Sequence, residues 1–101
     1  MANSFKSFQS TSVTTETTAY TGPSSTETTI IGMSVANTSS GSITVDVKLN
    51  TAYMVKAAPV PVGSALVVVG GDQKVVVEAT DTIKVTCTGT ADVITSVLEI
   101  T

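Results

Sequence analysis

Between residues 42 and 50, Ile43, Val45, Val47 and Leu49 alternate without a break against Ser42, Thr44, Asp46, Lys48 and Asn50. Successive side chains of an extended backbone point to opposite sides. The stretch therefore predicts a strand with one face in a core and the other in water. Residues 66–69 and 75–78 differ: the valine runs within them are continuously apolar and bounded by turn residues, the pattern of strands buried on both faces. A Pro59-Val60-Pro61-Val62-Gly63 turn leads into the first run, and Gly70-Gly71-Asp72 is expected to reverse the chain into the second. Residues 79–82 then turn it into a strand over 83–85, so residues 58–85 read as a meander on which the other strands pack.

The rest of the chain supplies those strands. Residues 28–37 place Ile31, Met33 and Val35 on one face and Ile30, Gly32, Ser34 and Ala36 on the other, a small-residue set that allows close approach of another layer. Residues 37–42 read as a hairpin loop, and residues 52–57 as a strand with Tyr53, Met54 and Val55. Pro59 and Pro61 lack a ladder donor, which restricts residues 59–63 to a connection or a sheet edge. Over residues 93–100, Ile94, Leu98 and Ile100 share one face and Val93 and Val97 the other. The Thr-rich residues 10–20 predict a polar edge strand, followed by a turn at Gly22-Pro23. Residues 1–9 show no period and predict a flexible N-terminal arm carrying Phe5 and Phe8, ahead of a sandwich domain over residues 10–101. About eight short strands, turn signals about every eight to twelve residues and no helical stretch indicate an all-β fold. The expected architecture is a single-domain antiparallel β-sandwich, jelly-roll-like in topology.

Composition agrees and narrows the function classes. The 101 residues suffice for one modest core, and the apolar share, 42%, is carried by β-branched side chains and only four aromatics. The net charge of -3 comes from few charges, and the five basic residues are dispersed lysines (Lys6, Lys48, Lys56, Lys74, Lys84). Phosphate neutralisation calls for clustered Lys and Arg, so no nucleic-acid partner is expected. Histidine is absent and Cys87 is the only cysteine, which leaves no ordinary zinc site and no intrachain disulfide. Cys87 shares a face with Ile83 and Val85 and reads as a small buried residue. No nucleophile has a visible base, so neither enzymatic activity nor a cofactor is expected. The turn acids Asp72, Asp81 and Asp92 lack the spacing of a calcium loop, and Gly70-Gly71 lacks the Lys-Ser/Thr of a phosphate loop. The longest apolar run, residues 65–69, is far short of the roughly 20 residues of a membrane helix, so no membrane partner is expected. The N-terminus has no apolar core of a secretory signal, which points to synthesis in the cytoplasm.

Several strands have apolar residues on both faces: Leu66 and Val68 oppose Val67 and Val69, Val75 and Val77 oppose Val76, and Val93 and Val97 oppose Ile94 and Leu98. A two-layer sandwich covers only one face of each strand, so the remainder predicts a homo-oligomer. The candidate interface comprises Val67, Val69, Val76, Val93 and Val97, with Phe5 and Phe8 of the arm.

Further features are Ile30-Ile31-Gly32-Met33-Ser34-Val35-Ala36-Asn37, Tyr53-Met54-Val55-Lys56, Ala58-Pro59-Val60-Pro61-Val62-Gly63-Ser64, Thr80-Asp81-Thr82-Ile83-Lys84-Val85 and Val97-Leu98-Glu99-Ile100. Through these the chain resembles, over roughly its last three quarters, a family of small all-β virion proteins of tailed bacteriophages. Thr80 stands where that family usually has Gly before its Asp-X-Ile strand start. The resemblance implies a structural component of a virion, made in the host cytoplasm. The expected role is a capsid decoration (cement) protein that self-associates as a trimer and binds the major capsid protein or another virion protein. A neck, tail or fibre component is the alternative. The resemblance transfers no residue-level role. A carbohydrate-binding or adhesin module is the rival from another class, with Tyr20 and Tyr53 as the only aromatics suited to sugar stacking.

Overall fold

The alternating residues 43–49 form a strand with Ile43, Val45 and Val47 buried and Thr44 exposed, as a half-buried sheet requires. A computed structural model describes residues 3–69 and 74–101. Within them lie nine strands: β1 (Asn3–Val13), β2 (Thr17–Thr21), β3 (Glu27–Asn37), β4 (Ile43–Leu49), β5 (Ala52–Val60), β6 (Ala65–Val69), β7 (Val75–Val77), β8 (Thr82–Cys87) and β9 (Ala91–Ile100). One sheet has the order β1-β9-β3-β6, with β7 also on β3, and the other has the order β2-β8-β4-β5. Every pairing is antiparallel. The inner faces meet in one core that includes Ile30, Val35 and Val97 of the first sheet and Val45, Ile83 and Val85 of the second. Each such buried side chain contributes about 1.5–3 kcal/mol relative to exposure.

Of the consecutive strands described, only β4 and β5 pair; the other connections cross between sheets or join β6 to β7. This alternation makes the sandwich jelly-roll-like. The expected meander over residues 58–85 does not form. β6 and β7 both lie antiparallel to β3, with Met33 opposite Val69 and Ile30 opposite Val75, so they run in the same direction along one edge. The Gly70-Gly71-Asp72 turn lies outside the described residues, but its flanks show no reversal. Residues 79–81 lead into the other sheet, as do residues 38–42, which are a crossover and not a hairpin loop. Turn residues signal a change of direction without stating which sheet the chain enters next.

Three further expectations are corrected. Residues 3–9, expected to form a flexible arm, belong to β1 and pair with β9 from Asn3 opposite Ile100 to Gln9 opposite Ile94. The valine runs are not buried on both faces: Val69 and Val77 are in the core, whereas Val67 and Val76 face outward on an edge. In β3 the register passes from Ile30 opposite Val97 to Gly32 opposite Ser96, leaving Ile31 as an extra residue. Such a bulge flips the facing of the strand. Ile30 therefore joins Met33 and Val35 in the core instead of lying opposite them.

The connections are held by specific polar groups. Buried Asn37 donates from Nδ2 to the carbonyls of Gly41 and Val60, both at 2.9 Å, and its Oδ1 accepts from the Ser39 amide. Ser64 N donates to Pro61 O at 3.1 Å, closing a tight turn in which Gly63 has φ +75°, as a type II turn demands. Pro59 falls within β5, an edge strand that pairs only with β4. At the opposite end of the sandwich, Gly22 N donates to Asp81 O and Thr80 N donates to Gly22 O, both at 2.9 Å. Thr80 has φ +70°, a conformation that costs a β-branched residue energy and that glycine adopts freely.

Candidate interaction face

The two outer surfaces of the sandwich differ in chemistry. Outward positions of β4 and β8 carry Thr44, Asp46, Lys48, Thr82, Lys84 and Thr86, so that side is polar and charged. On the first sheet, the registers align outward residues into rows across the strands. Phe5, Leu98, Thr29 and Val76 form one row, and Gln9, Ile94, Ser34 and Val67 another. Ser7, Ser96 and Gly32 lie between them. Phe5 is 75% exposed, Val67 66%, Val76 59% and Ile94 46%. The charged residues of these strands are Lys6, Glu27, Asp92 and Glu99. Glu27 and Asp92 lie at opposite ends of the face, while Lys6 and Glu99 point to the interior side. The centre of the face is uncharged, with its large apolar side chains set on either side of the small Ser7, Ser96 and Gly32.

β9 buries Glu99 on its inward side. Its neighbours alternate as two apolar sets, Ala91, Val93 and Val97 against Ile94, Leu98 and Ile100, and it is the first set that lies inside with Glu99, itself only 3% exposed. A buried carboxylate is tolerated only with full compensation, and three strands supply it. Lys6 Nζ of β1 lies 2.8 Å from one oxygen, and Tyr20 of β2 donates its hydroxyl to the other at 2.6 Å. The same hydroxyl lies 2.9 Å from Thr28 Oγ1 of β3. The Tyr20 ring meets Phe8 edge-on at 5.0 Å between centroids. Thr95, also inward on β9, leaves its hydroxyl buried without a partner.

Compared with family models, with curated proteins and with solved structures, the chain finds no match. The face must be read from its own residues.

Of the seven expected interface residues, Phe5, Val67 and Val76 are on this outer face. Val69, Val93 and Val97 are instead in the core, because β9 turns its Glu99 side inward and the edge pairing of β6 puts Val69 opposite Met33. Phe8 also points inward, half-buried on Tyr20. The sequence reading missed Ile94, Leu98 and Ile100 as outward residues; their shared face was visible, its direction was not.

The remaining polar groups do structural work. Asp81 accepts from Asn50 Nδ2 at 3.0 Å and from the Glu78 amide at 3.1 Å, and Asp92 accepts from the Ser12 amide at 2.9 Å. Asp72 lies outside the described residues. Among the described residues no group of three or more Cys, Asp or Glu side chains is placed to hold a metal ion. Cys87 is buried beside Ile83 and Val85, and burial pushes its thiol upward in pKa, away from the reactive thiolate. The sugar-stacking alternative loses Tyr20 to the core. It retains Tyr53, half-exposed but with Lys56 and Lys48 ammonium groups 4.4 and 5.7 Å from its ring centre.

The Glu99 network makes stability depend on pH at both extremes. The bond from Lys6, then that from Tyr20, holds the Glu99 carboxyl below its ordinary value. A carboxyl depressed by folding contributes stability above its unfolded pKa and loses it as pH falls through the folded value. Burial, then the bond to Glu99, pushes the Tyr20 hydroxyl up to about 12. A group raised by folding contributes stability that is complete below its unfolded value, near 10, and is lost as pH rises toward the folded one. The thermal midpoint should therefore fall below about pH 4.5 and above about pH 10. Glu99→Gln should flatten the acid limb and Tyr20→Phe the alkaline limb in thermal melts across that range.

Proposed function

We propose that the chain is a non-enzymatic structural protein of a tailed-bacteriophage virion, a capsid decoration protein that self-associates and binds a repeating capsid surface. The observation that carries this reading is the apolar outer face of the β1-β9-β3-β6 sheet, set against a polar outer face on the other sheet. Apolar surface of this kind marks a contact, not a solvated side. The resemblance of the strand and turn segments to small all-β virion proteins supplies the setting. A small sandwich that self-associates suits a lattice, where many identical weak contacts add through avidity.

Quantitative mass spectrometry of purified particles tests the reading by copy number. A count comparable with that of the major capsid protein is the expected result. A handful of copies would overturn decoration in favour of the neck, tail or fibre. Absence from particles would overturn the virion assignment altogether.

A further inference from the structure

We infer that the apolar outer face of the β1-β9-β3-β6 sheet is a self-association face, on which two copies of this chain pack sheet against sheet about a two-fold axis. This rests on the reading of the chain as a self-associating structural protein and names the surface that does it.

The face is built to meet itself. Two rows run across the strands, Phe5, Leu98, Thr29 and Val76, and Gln9, Ile94, Ser34 and Val67, and their large apolar side chains form two ridges. Between them lies a row of small residues, Ser7, Ser96 and Gly32, which makes the groove. Ridge and groove are four residues of β9 apart from ridge to ridge, so a two-fold-related copy shifted by half that spacing seats a ridge in each groove. A single patch that matches itself in this way is the isologous contact of a two-fold dimer, and it closes after two copies. The inferred assembly is thus a two-fold pair, where the sequence reading expects a trimer.

Charge and area point to the same occupant. Glu27 and Asp92 sit at the two ends of the face, and Asp92 is already bonded to the Ser12 amide. No like charges are opposed at the centre of a homotypic contact, and no charge there selects a partner of opposite sign. Strands about 4.8 Å apart, with ten residues of β9 at about 3.3 Å each, outline roughly 600 Å² for the whole face, and the shift by two residues leaves roughly 500 Å² per copy and roughly 1,000 Å² for the pair. That meets the roughly 1,000 Å² expected of a specific interface.

Sedimentation of the purified full chain, over a concentration series, tests the pairing. The wild type is expected to be a dimer. Val67→Lys and Val67→Lys/Ile94→Lys should raise the dissociation constant stepwise, by at least about 100-fold for the pair of changes, because each places an uncompensated charge in a contact that excludes water. Thr44→Lys, on the polar face, should leave it unchanged. Far-ultraviolet circular dichroism and the thermal midpoint establish that each variant is folded; the single Val67 change, at an edge strand, serves if the double variant is not. A wild type that stays monomeric, or a dimer dissolved by Thr44→Lys and not by Val67→Lys, would overturn the inference. Particle copy number is read independently of this result, so a virion protein that fails to dimerise through this face remains distinguishable from a protein that is not in the virion.

Discussion

Tyr20→Ala is expected to lower the stability of the fold by about 4 kcal/mol, read as a shift of the urea midpoint at constant slope. Tyr20 joins more of the molecule than any other single side chain described. It enters from β2, packs its ring on Phe8 of β1 and places its hydroxyl between Glu99 of β9 and Thr28 of β3. Truncation removes a buried aromatic ring and leaves a cavity between the sheets, which in cores costs about 3–5 kcal/mol. It also takes from Glu99 its hydroxyl donor, leaving the ammonium group of Lys6 to hold the carboxylate. Tyr20→Phe separates the two contributions. The ring stays against Phe8, and the loss of a hydrogen bond to a charged group costs about 1.5–3 kcal/mol. Equal midpoints for the two variants would show that the ring contributes nothing beyond its hydroxyl. Against a typical domain stability of about 5–15 kcal/mol, the alanine variant approaches the threshold of folding.

Gly22→Ala is expected to cost about 2–3 kcal/mol by the same measurement. Gly22 exchanges backbone hydrogen bonds with Thr80 and Asp81, tying the β2–β3 connection to the β7–β8 connection. A Cβ there would overlap the carbonyl oxygen of Glu78 and lie 3.2 Å from Cγ1 of Val77. A flexible side chain could yield, but the carbonyl belongs to backbone already fixed by those hydrogen bonds. Gly41→Ala is the control, since nothing lies within 4 Å of a Cβ there, and its midpoint should move by less than about 0.5 kcal/mol. Similar losses for both substitutions would overturn the close approach at Gly22 as the cause, since the lower chain entropy of alanine by itself stabilises the fold.

The sequence by itself determined the strands and the class of fold. Period two at residues 43–49, valine runs broken by Gly and Pro, and β-branched composition are local properties, and each follows from the stereochemistry of an extended backbone. The same local rules placed Cys87 with Ile83 and Val85 in the core. What they could not supply was partner and direction. Period two divides β9 into two apolar faces without saying which is inside. In the fold the Glu99 side lies inside, where Lys6 and Tyr20, the latter 79 residues from Glu99, satisfy its carboxylate. The extra residue at Ile31 reversed the facing within β3, and the turns after β3 and β7 carry the chain into the other sheet, a destination that their own residues do not encode. Only the tertiary structure settles such choices, because each depends on the free energy of groups brought together from distant parts of the chain. The same choices leave Phe5, Val67, Val76 and Ile94 on one outer face.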